Sequence, residues 1–293
     1  MQNNTWSRNI KERITVLLKP IAILCHCAWV LAVSAADPVE VAPGVFQVGT
    51  ITNSEISESS GLVASKRFRG TYWTHNDSGH KPKLFAINRE GESLAEFPVV
   101  GASIKDWEDI DVDGGGNLYI ADIGNNAKDR DHLAVYRVRE PNPNRPGTPV
   151  TIRKSWKLKF PGDAFDSEAF FVWHNFGYLI SKEENGASLY RFRLSSQDEE
   201  TVVLEKVGEF DLRAPVTGAD LSRDGRRLAL ITGTGAYVFY APHSVLTTDQ
   251  PSMFFTPFEN EKMEGGGFAG DGFLVSAESR ELYLFNEIPF RAR

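Results

Sequence analysis

Acidic side chains recur along this chain in a form that could bring them to one place. "DWEDIDVD" from Asp106, "DSEAFFVW" from Asp166 and "KMEGGGFAG" from Lys262 each set a carboxylate beside an apolar run, and "SESSGLVAS" from Ser57 and "VTGADLSRDG" from Val216 have the same build. Two carboxylates about 4 Å apart repel by roughly 4 kcal/mol at an effective dielectric of 20, so a convergent set needs a counter-cation or protons. Ca²⁺ suits such a set, because it takes six to eight oxygen ligands in flexible geometry. Asp109, Asp111, Asp113 and Gly114 even fall at positions 1, 3, 5 and 6 of a helix-flanked calcium loop. Its twelfth position, where a bidentate Glu is required, is Ile120. The alternation of Ile110, Val112, Leu118 and Ile120 predicts instead a strand, a "DGGGN" turn and a second strand. Other chemistries have thinner support. Both cysteines, Cys25 and Cys27, lie in the first 36 residues, which leaves few soft donors for a zinc site. No G-x-S-x-G element occurs, and "TGTGAYV" lacks the last glycine of a dinucleotide fingerprint.

The elements that carry these acids repeat. With Ser60, Glu108, Glu168, Ala219 and Glu264 taken as equivalent, the intervals are 48, 60, 51 and 45 residues. Fourteen residues after each stand Thr74, Asp122, Lys182, Gly233 and Glu278, closing the β-rich runs "GTYWT", "NLYIAD", "GYLISK", "LALITG" and "FLVSAE". Third strands follow as "LFAIN", "VYRVRE", "LYRFRL", "YVFYA" and "LYLFNE", rich in β-branched and aromatic residues. Fourth strands read as "LAEFPVV", "TIRKSWKLKF", "VVLEKVGEF" and "SMFFTPF", and the last unit has none. "VFQVGTI", Val45 to Ile51, precedes the first unit without a partner of its own. It is expected to supply the missing strand. The fold class is therefore all-β, a β-propeller of five four-stranded blades closed by an N-terminal strand. Six blades would require splitting the long second unit, whose extra length is better explained by the loop "EPNPNRPGTP".

In a propeller the start of each first strand and the end of each second share one mouth of the central channel. That register defines the candidate site. The metal set is Glu58, Glu108, Asp109, Glu168, Asp220 and Glu264; the catalytic set is His75, Asp77 and Lys182; the ligand-binding set is Asn76, Asp122, Asn125 and Glu278. The competing reading makes these acids fasteners that accept backbone N–H bonds between blades.

Composition bounds the setting. Arg8, Lys11, Arg13 and Lys19 precede the apolar run "IAILCHCAWVLAVSAA", so residues 1–36 read as a secretory signal peptide and 37–293 as a propeller domain, secreted or periplasmic. Cleavage removes four basic residues and one acidic, moving the formal charge from −7 to −10. Such a chain is a poor partner for nucleic acid, whose binding depends on Lys and Arg. It is expected to be monomeric, with no membrane span after cleavage.

"SGLVAS…YWTHNDSG", "DWEDIDVD", "LYIADIGNN", "DSEAF" and "VTGADLSRDG" together resemble the exported bacterial propellers grouped with the SdiA-regulated and phytase-like proteins, and "DGGGNLYIAD" is similar to an NHL-type strand pair. The resemblance covers nearly all of Ser54 to Glu287. It implies a propeller and, among its members, calcium binding and hydrolysis of phosphate or lactone esters. The expected function is binding of a divalent cation, calcium, and through it a small or polymeric ligand. The alternatives are a metal-dependent hydrolase of an ester, lactone or phosphoester, and a protein interaction scaffold. A phytase-like site would place several Lys and Arg opposite the metal, where this register offers chiefly Lys182.

Overall fold

The computed structural model describes residues 37–196 and 201–290; the expected signal peptide lies outside them. Five antiparallel meanders form five blades. Their inner strands are Ser59–Ala64, Trp107–Val112, Ser167–Trp173, Val216–Leu221 and Met263–Ala269, each followed outward by its second and third strands in chain order. The fourth strands of blades 1 to 4 are Ser93–Val100, Lys154–Lys159, Glu205–Phe210 and Ser252–Pro257. In blade 5 that place is taken by Val45–Thr50, which pairs with Glu281–Phe285, so the N-terminal strand closes the ring as expected.

Inner and second strands are buried on both faces, because each blade lies between two others. The second strands accordingly read as largely apolar runs, whereas the inner strands mix apolar residues with buried Ser, Thr, Asp, Glu and Gly. Outer strands such as Lys154–Lys159 face solvent on one side and alternate. Five apolar clusters fill the wedges between neighbouring blades. Trp73, Phe97 and Trp107 join blades 1 and 2; Trp156, Phe170 and Phe192 join 2 and 3; Phe171, Leu189 and Leu230 join 3 and 4; Val238, Phe273 and Phe285 join 4 and 5. The fifth cluster, with Val48, Ile51, Leu62, Phe85 and Leu284, joins blade 5 back to blade 1. At this junction the backbones nearly touch: a Cβ on Gly265 would stand 2.2 Å from the Ser60 carbonyl oxygen, so only glycine fits.

Deleting residues 37–50 should therefore open the ring. Val45 and Val48 are buried, each worth about 1.5–3 kcal/mol, and an apolar edge on blade 5 would be exposed. A melting temperature lower by about 10 °C, with aggregation, is expected in a thermal scan followed by light scattering. An unchanged melt would show that Val45–Thr50 does not hold the ring shut.

Candidate metal centre at the channel mouth

One irregularity recurs in every blade and aims the site. The first two strands pair regularly until the inner strand nears the mouth, where a bulge interrupts the register: between Ser59 and Leu62, Trp107 and Asp109, Ser167 and Ala169, Val216 and Gly218, and Met263 and Gly266. A bulge adds an unpaired residue and re-aims its side chain. The residues at these places include Ser60, Glu108, Glu168, Thr217 and Glu264. The sequence register is corrected in blade 4: Thr217, not Ala219, is the equivalent position, because the bulge lies two residues earlier than the polar cluster suggested.

The bulges from three blades deliver glutamates and those from two deliver hydroxyls. Ser60 Oγ donates to the Glu108 carbonyl at 2.7 Å and Thr217 Oγ1 to the Met263 carbonyl at 2.8 Å, each tying its blade to the next. Glu108, Glu168 and Glu264 line a cavity of about 180 Å³ with Glu58, Ser60, Asp77, Asn126, Lys182 and Glu278. Asp106, Asp77 and Glu108 each offer a carboxylate oxygen, all within 4.8 Å of one another. Oxygens sharing one Ca²⁺ at about 2.3–2.6 Å can be no farther apart than roughly 5 Å, so this spacing fits that ion.

Burial and mutual repulsion act together on these acids. Burial first, then the charges of Asp77 and other acids, raises Asp106 to about 6. Burial and the neighbouring Glu168 push Glu264 up to about 9, and the same two causes hold Glu108 well above the usual range. Glu168 rises to about 7 through burial, although Lys182 pulls it down by pairing with its Oε1. Its Oε2 is buried with no hydrogen-bond partner. Burial would lower Lys182, but Glu168, Glu264 and Asp166 outweigh it and raise the amine. Lys262 reaches the cavity only through Glu278, 2.6 Å away.

Glycine 124 makes room for the cluster. A Cβ there would lie 2.1 Å from Glu108 Oε1 and 2.3 Å from Asp106 Oδ2. Its loop is pinned by Arg130, which donates to the Gly124 carbonyl at 2.7 Å and pairs with Asp122 at 2.9 Å.

The other expected site residues stand around the cavity or away from it. Asp77 shares the acidic cluster and Lys182 the wall, but His75 is fully buried beneath them, edge-on to Trp107 with Nδ1 3.0 Å from the Asn76 carbonyl. Burial holds its imidazole below the usual range, and the ring is not among the groups lining the cavity. Asn76 is consumed by its own turn: Oδ1 accepts from Ser57 and Glu58 N–H, and Nδ2 donates to the Glu55 carbonyl. Asp122 accepts from Lys105 and Asp106 N–H, while Asn125 is tied to the Phe165 carbonyl and Arg130 N–H. None of Asn76, Asp122 and Asn125 lines the cavity; their hydrogen bonds hold the turns and strand ends beside it. Glu58 and Glu278 lie at the rim, Glu58 with His80 Nδ1 at 3.5 Å.

Asp109 and Asp220 leave the metal set. Both accept backbone N–H groups from the inner strands of other blades: Asp109 Oδ2 from Phe170 N–H of blade 3 at 2.8 Å and Ala219 N–H of blade 4 at 3.4 Å, and Asp220 Oδ2 from Phe268 N–H of blade 5 at 2.8 Å. Asp111 does the same to Val172 N–H at 2.6 Å. The fastener reading describes this buried axial set, and the mouth glutamates form a separate one. Asn126 also lines the cavity, and nothing in "DIGNN" separates it from the structural Asn125. Asp106 was visible as the first residue of its motif.

No family model matches the chain, and no curated protein matches its sequence. Solved structures do. The allergen Mala s 1 of Malassezia sympodialis is 11% identical with a TM-score of 0.51, over 78% of this chain and 92% of that one. A gluconolactonase of Xanthomonas campestris is also 11% identical, with a TM-score of 0.47 over 85% of this chain and 90% of that one. The PQQ-bound aldose sugar dehydrogenase of Streptomyces coelicolor gives 11%, 0.45, 81% and 95%. The shared property is the fold. At such identity, activity has to be argued from the site itself.

Proposed function

We propose that the channel mouth holds a divalent cation, calcium by its all-oxygen donor set, and that this protein is a metal-dependent hydrolase of a carboxylic ester or lactone. The observation that supports it is the convergence of Asp77, Asp106 and Glu108 oxygens within 4.8 Å, two of these residues, Asp77 and Glu108, lining the cavity. A bound cation polarises an ester carbonyl as a Lewis acid. The chain's own residues supply the rest. Glu168, raised to about 7, is the group able to take a proton from water near neutral pH, whereas Glu264, raised to about 9, holds a proton there and can donate it to the leaving oxygen. Lys182 holds Glu168 in place and, among the described residues, is the one positive group lining the cavity. A phosphoester, which the phytase-like resemblance would imply, needs more positive charge than Lys182 provides.

Equilibrium dialysis against calcium, paired with turnover of a δ-lactone, p-nitrophenyl acetate and p-nitrophenyl phosphate with and without chelator, tests the reading. Wild type should retain calcium and open the lactone or acetate only with metal present. Glu108→Gln removes a ligand charge at nearly constant volume and should weaken calcium at least about tenfold, the loss expected for one charge-assisted contact. Gly124→Ala changes no charge but displaces both carboxylates, and should weaken it comparably. A protein that retains no calcium would overturn the proposal. Calcium retention without turnover of any ester would leave a cation-dependent binding protein.

A further inference from the structure

The five blades do not treat their outer edges alike. Blade 1 is covered by Val150–Thr151, running parallel to Val99–Val100; blade 2 by Thr201–Val203, parallel to Lys157–Lys159; blade 5 by Val39–Ala42, antiparallel to Val45–Gln47. Among the described residues, blades 3 and 4 have no such cover. The outer strand of blade 3, Glu205–Phe210, is guarded by charge, with Glu205 paired to Arg191 and Lys206 to Glu209. Charged side chains are a common protection for a bare edge.

Blade 4 has neither a covering strand among the described residues nor charge on its edge, and only Pro251 and Pro257 punctuate its ends. Its outer strand, Ser252–Pro257, pairs with Gly235–Tyr240 on one side only and presents Met253, Phe254 and Phe255, which are 53%, 45% and 40% exposed. Three consecutive large apolar residues on both faces of an unpaired edge is an arrangement soluble proteins avoid unless something docks there. The strand is also held ready, since Phe255 stacks on Tyr237 with ring centroids 4.4 Å apart. No charged residue occurs from Gln250 to Phe258, whereas the exposed acids Asp249, Glu259 and Glu261 flank the strand.

We propose that this edge accepts, by strand addition, an extended segment of a partner protein that is apolar at its centre and basic at its ends. The outward-facing N–H and C=O groups of alternate residues between Ser252 and Thr256 would continue the sheet onto it, and alternate side chains would rest on Met253, Phe254 and Phe255. Charge selects this occupant over a second copy of the chain. Antiparallel self-pairing about Phe254 would set Asp249 of one copy against Glu259 of the other, like against like at both ends, in a protein of formal charge −7. Lysines or arginines at those places would be attracted instead. The site is remote from the channel mouth and independent of the cation proposal.

Isothermal titration of the full chain with a peptide of about nine residues, alternating Val and Thr in the middle with two lysines at each end, tests the assignment. Saturable binding is expected, at least tenfold weaker for the counterpart with glutamate in place of lysine, and weakening as salt rises. The double variant Met253→Ser, Phe254→Ser alters only exposed side chains and should lose this binding while retaining the wild-type melting temperature. Equal binding of both peptides, or of the wild type and the double variant, would overturn the assignment, as would no binding at all. So would a wild-type dimer in light scattering that the double variant abolishes, since the edge would then belong to a second copy.

Discussion

In chelator, the stability of this protein is expected to fall as pH rises from about 5 to about 9, and excess calcium is expected to remove most of that fall. The sign follows from the mouth carboxyls. Asp106, Glu168 and Glu264 have folded pKa values of about 6, about 7 and about 9, above the ordinary carboxyl range that they regain on unfolding. Between the two ranges the folded state binds more protons, so unfolding free energy decreases with increasing pH. The full benefit is present below about pH 4 and is lost through each folded value in turn. With Asp106 set aside because it is half-exposed and screened, Glu168 and Glu264 together set an upper bound on the order of 10 kcal/mol. A cation at the mouth takes over the role of the protons. Glu264→Gln should accordingly raise the melting temperature in chelator at about pH 9 and do little at about pH 5. Denaturant unfolding across this range, with and without calcium, measures the slope. Stability that rises with pH in chelator would show that these acids are not gathered as described.

Asp109→Ala is expected to give the opposite pattern, a loss of about 3–5 kcal/mol that calcium does not alter. Asp109 is fully buried; Oδ1 accepts from Ile110 N–H at 2.8 Å, and Oδ2 takes N–H groups from the inner strands of blades 3 and 4. Truncation orphans those donors in the protein axis, at roughly 1–3 kcal/mol each, and leaves a small cavity among three blades. Asp109→Asn, which keeps one acceptor oxygen, should lose clearly less than Asp109→Ala. Thermal melts in chelator and in excess calcium compare the two variants with wild type. Equal loss for Asn and Ala would mean that volume, rather than hydrogen bonding across the axis, is what Asp109 contributes.

How much of this was legible beforehand differs residue by residue. Glu108, Glu168 and Glu264 were placed at one mouth by their spacing and line one cavity in the structure, because a repeated meander returns to the same face once per blade whatever its loops do. Blade number and the closing role of Val45–Thr50 were equally legible, since strand count and the unpaired strand are local properties of the chain. Direction was not. Asp109 follows Glu108 directly, yet one faces the cavity and the other the axis, because adjacent strand residues point to opposite sides and a bulge resets which is which. That bulge leaves no fixed residue signature, which is why blade 4 was aligned on Ala219 rather than Thr217. His75, Asn76, Asp122 and Asn125 are polar residues at the right end of the right strands. Only the neighbouring blades and turns decided that their hydrogen-bonding capacity or their access is already taken. The sequence by itself determined the ring and which of its faces gathers acid; the tertiary structure decided which acids face one another, because that depends on backbone N–H groups and side-chain directions contributed by blades far apart in the chain.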